Sequence, residues 1–204
     1  MARQPEATEI RSDAMKLRHE LNKYEFLTDV LHKNIKAAKS YPSILTEPEH
    51  KGLCGLLDKA LLNYLSSLDL ATELKFLDAS MAIGNQFEAN FFARITALSC
   101  FEVLDNRNVK LGKETRSLAL SIAGCSARED LDKCLRELNK IAADESPKLK
   151  TIRNNLFGHR IKIGKVQADE MLHVNPKAIF DLGWRILHIE FAIAEAYMVL
   201  AKNI

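Results

Sequence analysis

The sequence is poor in the residues that build sheets and long loops. Aromatic residues make up 7% of the 204-residue chain, which contains 8 Gly and 5 Pro, and long runs of β-branched residues are missing. These shortages favour helices over strands. The Gly-rich loops of nucleotide-binding motifs and internal repeats are also missing, which excludes the common phosphate-loop and solenoid classes.

An excess of charge of one sign is also lacking. Lys and Arg total 29 against 27 Asp and Glu, which gives a formal net charge of +2. This balance excludes the broad basic surface of a protein that coats DNA or RNA, but it still allows a local phosphate site. The apolar segments are interrupted by charges well before the ~20 residues of a membrane span. We therefore expect a protein that does not cross a membrane.

Cysteine is scarce, and its spacing fits no disulfide or zinc framework. The chain has no C-x-x-C pair, and no secretory signal precedes its four cysteines. We expect reduced thiols in a cytoplasmic protein, with Cys100 and Cys134 acting as small core residues. With no HExxH motif and no close His–carboxylate spacing, the sequence predicts no metal site and no cofactor.

What the chain does contain is apolar residues at helical spacing, bounded by start and stop signals. The approximate predicted helices are 8–39, 46–70, 87–105, 113–123, 126–143, 147–158 and 175–201. Ser146 and Asn175 are N-cap residues that precede a proline, so each is predicted to open a helix. Breaks are predicted at Gly84–Asn85 and at Gly124, while the pattern over 71–84 leaves helix and loop open.

The stretch from Arg153 to Arg160, RNNLFGHR, points most directly to chemistry. Arg153 is a permanent cation whose planar fork of donors matches phosphate oxygens. His159 has the side chain that gives and takes protons near neutral pH. Together they are sufficient for cleaving a phosphodiester without a metal.

The spacing of this pair does not place both side chains on one helical face. Six positions along an ideal helix leave Arg153 and His159 about 120° apart and roughly 9 Å along the axis. Two arrangements remain open. Gly158 ends the helix and lets His159 turn back, or a two-fold dimer brings both copies of each residue into one cleft.

In a catalytic reading, the 2′-hydroxyl of RNA attacks its own adjacent phosphate, which selects RNA over DNA. His159 acts as general acid or base, and Arg153 stabilises the charge on the phosphorane oxygens. Asn154 or Asn155 hydrogen-bonds the phosphate or holds the imidazole, and Arg160 contacts a neighbouring phosphate. In the alternative interpretation, Arg153 is an ordinary solvated helix residue and His159 is an ordinary polar residue after the helix.

The motif resembles the signature of the HEPN superfamily, the higher-eukaryote and prokaryote nucleotide-binding domains. In that signature an arginine and a polar residue are followed by three to five further residues and then a histidine; Arg153, Asn154 and His159 match it. The order of helices is similar over roughly residues 85–200, and most resembles the abortive-infection U type. Gly158 departs from the pattern, since alanine is commoner there.

The resemblance implies an all-α fold, an antiparallel up-and-down helical bundle with an N-terminal helical extension. We expect residues 81–204 to form the bundle and residues 1–80 the extension packed on it, or both to form one continuous domain. It further implies a homodimer with metal-independent endoribonuclease activity, in a defence or toxin–antitoxin system with an antitoxin partner. The alternative is a catalytically silent helical dimer that binds nucleotide, RNA or a protein partner.

Overall fold

The computed structural model describes Lys33 and residues 47–154 and 174–202. Within these residues the chain forms helices, and no strand is found. The helices are α1 (Glu47–Ala82), α2 (Gln86–Asp105), α3 (Arg107–Leu111), α4 (Lys113–Arg153) and α5 (Pro176–Lys202). All five pack against one another, which confirms the all-α fold class.

Side-chain contacts between helices show an up-and-down arrangement. Along α1, Ser66 lies beside Lys110 and Glu73 lies beside Ser99, so α1 runs antiparallel to the α2–α3 segment. Asn63 donates to the backbone carbonyl of Glu190, and Leu74 lies against Gly183 further along α1. α5 is therefore also antiparallel to α1, which leaves α2 and α5 parallel to each other.

The turn between α1 and α2 occurs where the sequence predicts a break. Gly84 has φ +72°, a left-handed conformation that glycine adopts without steric cost. Asn85 caps α2, because its side-chain oxygen accepts a hydrogen bond from the N–H of Glu88 at 3.2 Å.

The stretch over 71–84 that the sequence left open is helical as far as Ala82, because α1 buries its inward face there. Leu70, Leu74 and Leu77 are fully buried in the core that α1 shares with α2 and α5. The predicted extension of residues 1–80 includes most of α1, and its division from residues 81–204 stays a prediction.

A sharp bend at Gly124 divides α4 into two arms. Gly124 has φ +78° and ψ −164° inside a stretch that is otherwise helical, so the predicted break is confirmed. The arms fold back on each other, since Arg116 pairs with Asp132 at 2.5 Å although 16 helical residues would span ~24 Å. The hydrogen bond from Arg116 holds the pKa of Asp132 below its ordinary value.

The predicted helix start at Ser146–Pro147 is wrong. The second arm of α4 continues through Pro147 to Arg153. Proline removes one backbone hydrogen bond, but buried residues anchor the helix on either side of it, among them Ile141 and Leu149. Thr151 also donates its hydroxyl to the carbonyl of Pro147 at 3.0 Å. Tertiary packing therefore overrides the local stop signal.

α5 begins where the sequence predicts and lies at the centre of the bundle. The Asn175 side chain accepts from the N–H of Ala178 at 3.2 Å, which confirms the predicted cap. Further along, a Cβ atom on Gly183 would lie 2.9 Å from Leu74 and 3.2 Å from Thr96. This glycine therefore lets α5 approach α1 and α2 closely. None of the described helices combines the length and apolarity needed to cross a membrane.

Candidate functional site

The motif arginine lies at the exposed carboxyl end of α4. Leu149, buried, and Ile152, partly buried, anchor the last turn against the core, and Arg153 follows on the solvent side. Its guanidinium carbon lies 5.2 Å from the centre of the Phe101 ring on α2. This cation–π contact positions the charge, and the C-terminal end of a helix favours a cation there.

The next motif residue ends the helix. Asn154 has φ −66° and ψ −40°, and its backbone N–H is shared between the carbonyls of Lys150 and Thr151. Its side chain is exposed beside Arg153. Asn155, His159 and Arg160 lie outside the described residues, so the predicted Arg153–His159 juxtaposition and its dimeric variant stay predictions.

In the described half of the motif, Arg153 places a positive charge at the protein surface. A guanidinium that lies over an aromatic ring keeps its N–H edges available for hydrogen bonds. Phe101 is itself 9% exposed, so the ring forms a fixed platform rather than a mobile side chain. The arrangement is able to hold a phosphate group at the surface between α2 and α4.

A buried ion pair that sequence reasoning missed lies deep in the bundle. Lys110 on α3 donates to Glu190 on α5 at 2.5 Å, and the two side chains are 1% and 0% exposed. Ser66 on α1 donates to the same carboxylate oxygen at 3.1 Å. Tyr197 donates its hydroxyl to the backbone carbonyl of Lys110 at 2.8 Å. Three elements therefore converge on one charged pair.

Burying this ion pair costs free energy, because both charged groups lose their contact with water. Burial raises the pKa of Glu190, and the attraction of Lys110 and the hydroxyl of Ser66 oppose that rise. One sequence feature could have indicated the buried ion pair. Glu190 is a charged residue between Ile189 and Phe191 in the most apolar helix. The sequence offers no way to assign it a partner on α3.

A cavity of about 190 Å³ opens between α1 and α2 above the ion pair. Its polar lining includes the carboxylates of Asp69 and Glu102 together with Ser99 and Lys110. Glu73 lies beside it and accepts a hydrogen bond from Ser99 at 2.8 Å. Burial, together with the nearby carboxylates, raises the pKa of Glu73 to about 7. This concentration of carboxylates repels a phosphate, so the cavity is not where RNA is expected to bind.

In the part of the chain that the structure describes, the other candidate groups show no second catalytic arrangement. His188 is exposed and meets the Trp184 ring edge-on at 4.9 Å. Within the described ranges, no three His, Cys, Asp or Glu side chains are arranged to hold a metal ion. None of the four cysteines forms a disulfide, and burial raises the pKa of Cys134 to about 11.

Neither protein-family profiles, nor curated proteins, nor solved structures yield a match to this chain. The likeness to the HEPN superfamily therefore depends on the motif and on the order of the helices.

Proposed function

We propose that this protein is a metal-independent endoribonuclease of the HEPN type, a cytoplasmic homodimer with a defence or toxin–antitoxin role. The 2′-hydroxyl of the RNA attacks the adjacent phosphate, His159 exchanges the protons, and Arg153 stabilises the charge on the phosphorane oxygens. Asn154, Asn155 and Arg160 position the phosphates. The substrate supplies the nucleophile, so the reaction needs no cofactor.

The observation that supports the proposal is the exposure of Arg153. An arginine that stabilises a transition state must reach the substrate, and a buried ion pair would have prevented this. Arg153 is instead exposed at the end of α4, and its guanidinium is oriented by the ring of Phe101. Among the described residues, Lys110 is a buried cation, and it lies far from the motif in the sequence.

The helical order gives further support. A long helix α2 is followed by α3 and the bent α4, which carries the motif at its end, and by the apolar α5. This is the order of elements that the resemblance implies. The cavity beside Glu73 disfavours phosphate, which leaves the surface at Arg153 as the better site for a polyanion.

The test is cleavage of a mixed RNA substrate in EDTA by the wild type and by Arg153→Ala and His159→Ala variants of confirmed fold and oligomeric state. We expect loss of cleavage in both variants, and 2′,3′-cyclic phosphate ends on the wild-type products. Arg136→Ala is the matched control, because Arg136 is an exposed arginine on the same helix outside the motif. Its activity should equal that of the wild type.

Two results would contradict the proposal. Cleavage that survives in Arg153→Ala would show that the motif does not carry the activity. A wild type that binds but does not cleave a broad set of RNAs would favour the catalytically silent dimer, in which the motif residues serve binding or assembly.

A further inference from the structure

The outward face of α1 carries an apolar stripe that the described helices leave partly exposed; at its far end Phe76 stacks on Phe92 of α2, with the ring centres 5.3 Å apart. Leu61, Leu65, Leu68 and Phe76 are 43%, 49%, 37% and 47% exposed, and Thr72 between them is also exposed. Their spacings of four, three, four and four residues place them on one side of the helix. We call these five residues the outer stripe.

The outer stripe lies opposite the buried face of the same helix. Leu70, Leu74 and Leu77 bury that other face against α2 and α5. A helix that is apolar on both faces is typical of a position with packing partners on both sides. A contiguous exposed apolar patch of this length indicates a surface that something else covers.

The segment that precedes α1 has the right character to cover it. Apolar residues recur at near-helical spacing from Thr8 to Lys39, which predicts one amphipathic helix whose apolar face needs a partner. Only residues 40–46 separate that predicted helix from Glu47, where α1 begins. Consecutive helices joined by so short a connection usually lie side by side and antiparallel.

The lengths also agree. A helix over residues 8–39 would be ~48 Å long, and the 36 residues of α1 span ~54 Å. Such a helix, returning along α1 from the connection, would reach beyond the far end of the outer stripe.

The register that follows from this geometry brings apolar residues of the segment opposite two of the large apolar residues of the outer stripe. If Lys39 lies opposite Glu47, each step back along the segment corresponds to one step forward along α1. This register places Leu21 opposite Leu65 and Ile10 opposite Phe76, and it places Leu17 opposite Asp69, the neighbour of Leu68.

We propose that residues 8–39 of the same chain dock as an antiparallel helix on the outer stripe of α1. The docked helix turns α1 into an interior helix of the bundle and removes its apolar face from contact with other molecules. This proposal does not depend on the ribonuclease activity.

Disulfide crosslinking in the full chain tests the register. In a Cys54→Ser, Cys125→Ser background, Leu21→Cys and Leu65→Cys should form an intramolecular disulfide under mild oxidation. Cys100 and Cys134 are buried and can remain. The control pair is Leu21→Cys with Glu137→Cys, since Glu137 is exposed on α4. We expect rapid crosslinking in more than half of the first variant and almost none in the control.

Two crosslinking outcomes overturn the proposal. Crosslinked dimers without the intramolecular species would assign the outer stripe to a second copy. An absence of crosslinking in a folded variant would show that the segment lies elsewhere.

Limited proteolysis of the full chain provides a second measurement. Leu65→Asp should speed tryptic cleavage between residues 16 and 23 at least ten-fold, because a buried carboxylate displaces the segment. Leu120→Asp is the matched control, since Leu120 is an exposed leucine on α4, away from the outer stripe. Equal cleavage rates in the wild type and in both variants would refute docking.

Discussion

Removal of one partner of the buried ion pair should destabilise the fold more than any surface change. Lys110→Met leaves the Glu190 carboxylate, which is 0% exposed, with the hydroxyls of Ser66 and Ser67 in place of a cation. Breaking a buried pair in this way costs about 3–5 kcal/mol of unfolding free energy. The total for a domain is only about 5–15 kcal/mol, so the effect will be large.

The double variant Lys110→Met, Glu190→Leu removes both charges and fills their space with apolar atoms. It should recover most of the loss, because neither desolvation penalty remains, and replacing a buried pair by apolar residues is often neutral or stabilising. The surface control is Lys59→Met, because Lys59 meets Glu114, a largely exposed carboxylate, at 3.9 Å. That change should cost no more than about 1 kcal/mol.

Urea unfolding, followed by circular dichroism and by the fluorescence of the single tryptophan, Trp184, measures these differences. The unfolding free energy of Lys110→Met, measured at several pH values, gives an independent check. Without the ammonium group, the pKa of Glu190 rises further, so the folded state binds a proton that the unfolded state lacks. The difference in stability from the wild type should therefore shrink as the pH is lowered. A loss of unfolding free energy below about 1 kcal/mol for Lys110→Met would refute this reasoning. So would a double variant whose loss equals the sum of the losses of the single variants Lys110→Met and Glu190→Leu.

The remaining predictions concern Glu73 and two glycines. The pKa of Glu73 is raised from 4.5 to about 7, so the folded state binds more protons in this interval and stability falls as the pH rises through it. Glu73→Gln should flatten that part of the pH–stability profile, and an unchanged profile would contradict the assigned burial. Gly124→Ala should destabilise by about 1–2 kcal/mol, because alanine resists a positive φ, whereas Gly55→Ala in the interior of α1 should stabilise by about 0.5–1 kcal/mol. Thermal unfolding of the two alanine variants compares the same chemical change with opposite expected signs, and equal signs would count against the bend at Gly124.

The candidate functional residues differ in how far the sequence alone could identify them. The motif arginine could be identified from residue types and spacing, because the charge of arginine and the proton exchange of histidine are properties of the side chains themselves. The platform under it, Phe101, was not predictable, since it lies on another helix 52 positions earlier in the chain. The Lys110–Glu190 pair spans 80 positions and has no local signature on the lysine side.

Local signals in the sequence by themselves determined the helical class, the breaks at Gly84 and Gly124, and the cap at Asn175. Each depends on backbone conformation or on a hydrogen bond within a few residues, which every folded state of the chain must satisfy. Only the tertiary structure decided that α1 continues to Ala82 and that α4 continues through Pro147. In both places the burial of apolar side chains against distant helices stabilises a local conformation that short-range preferences alone would have left open or ended.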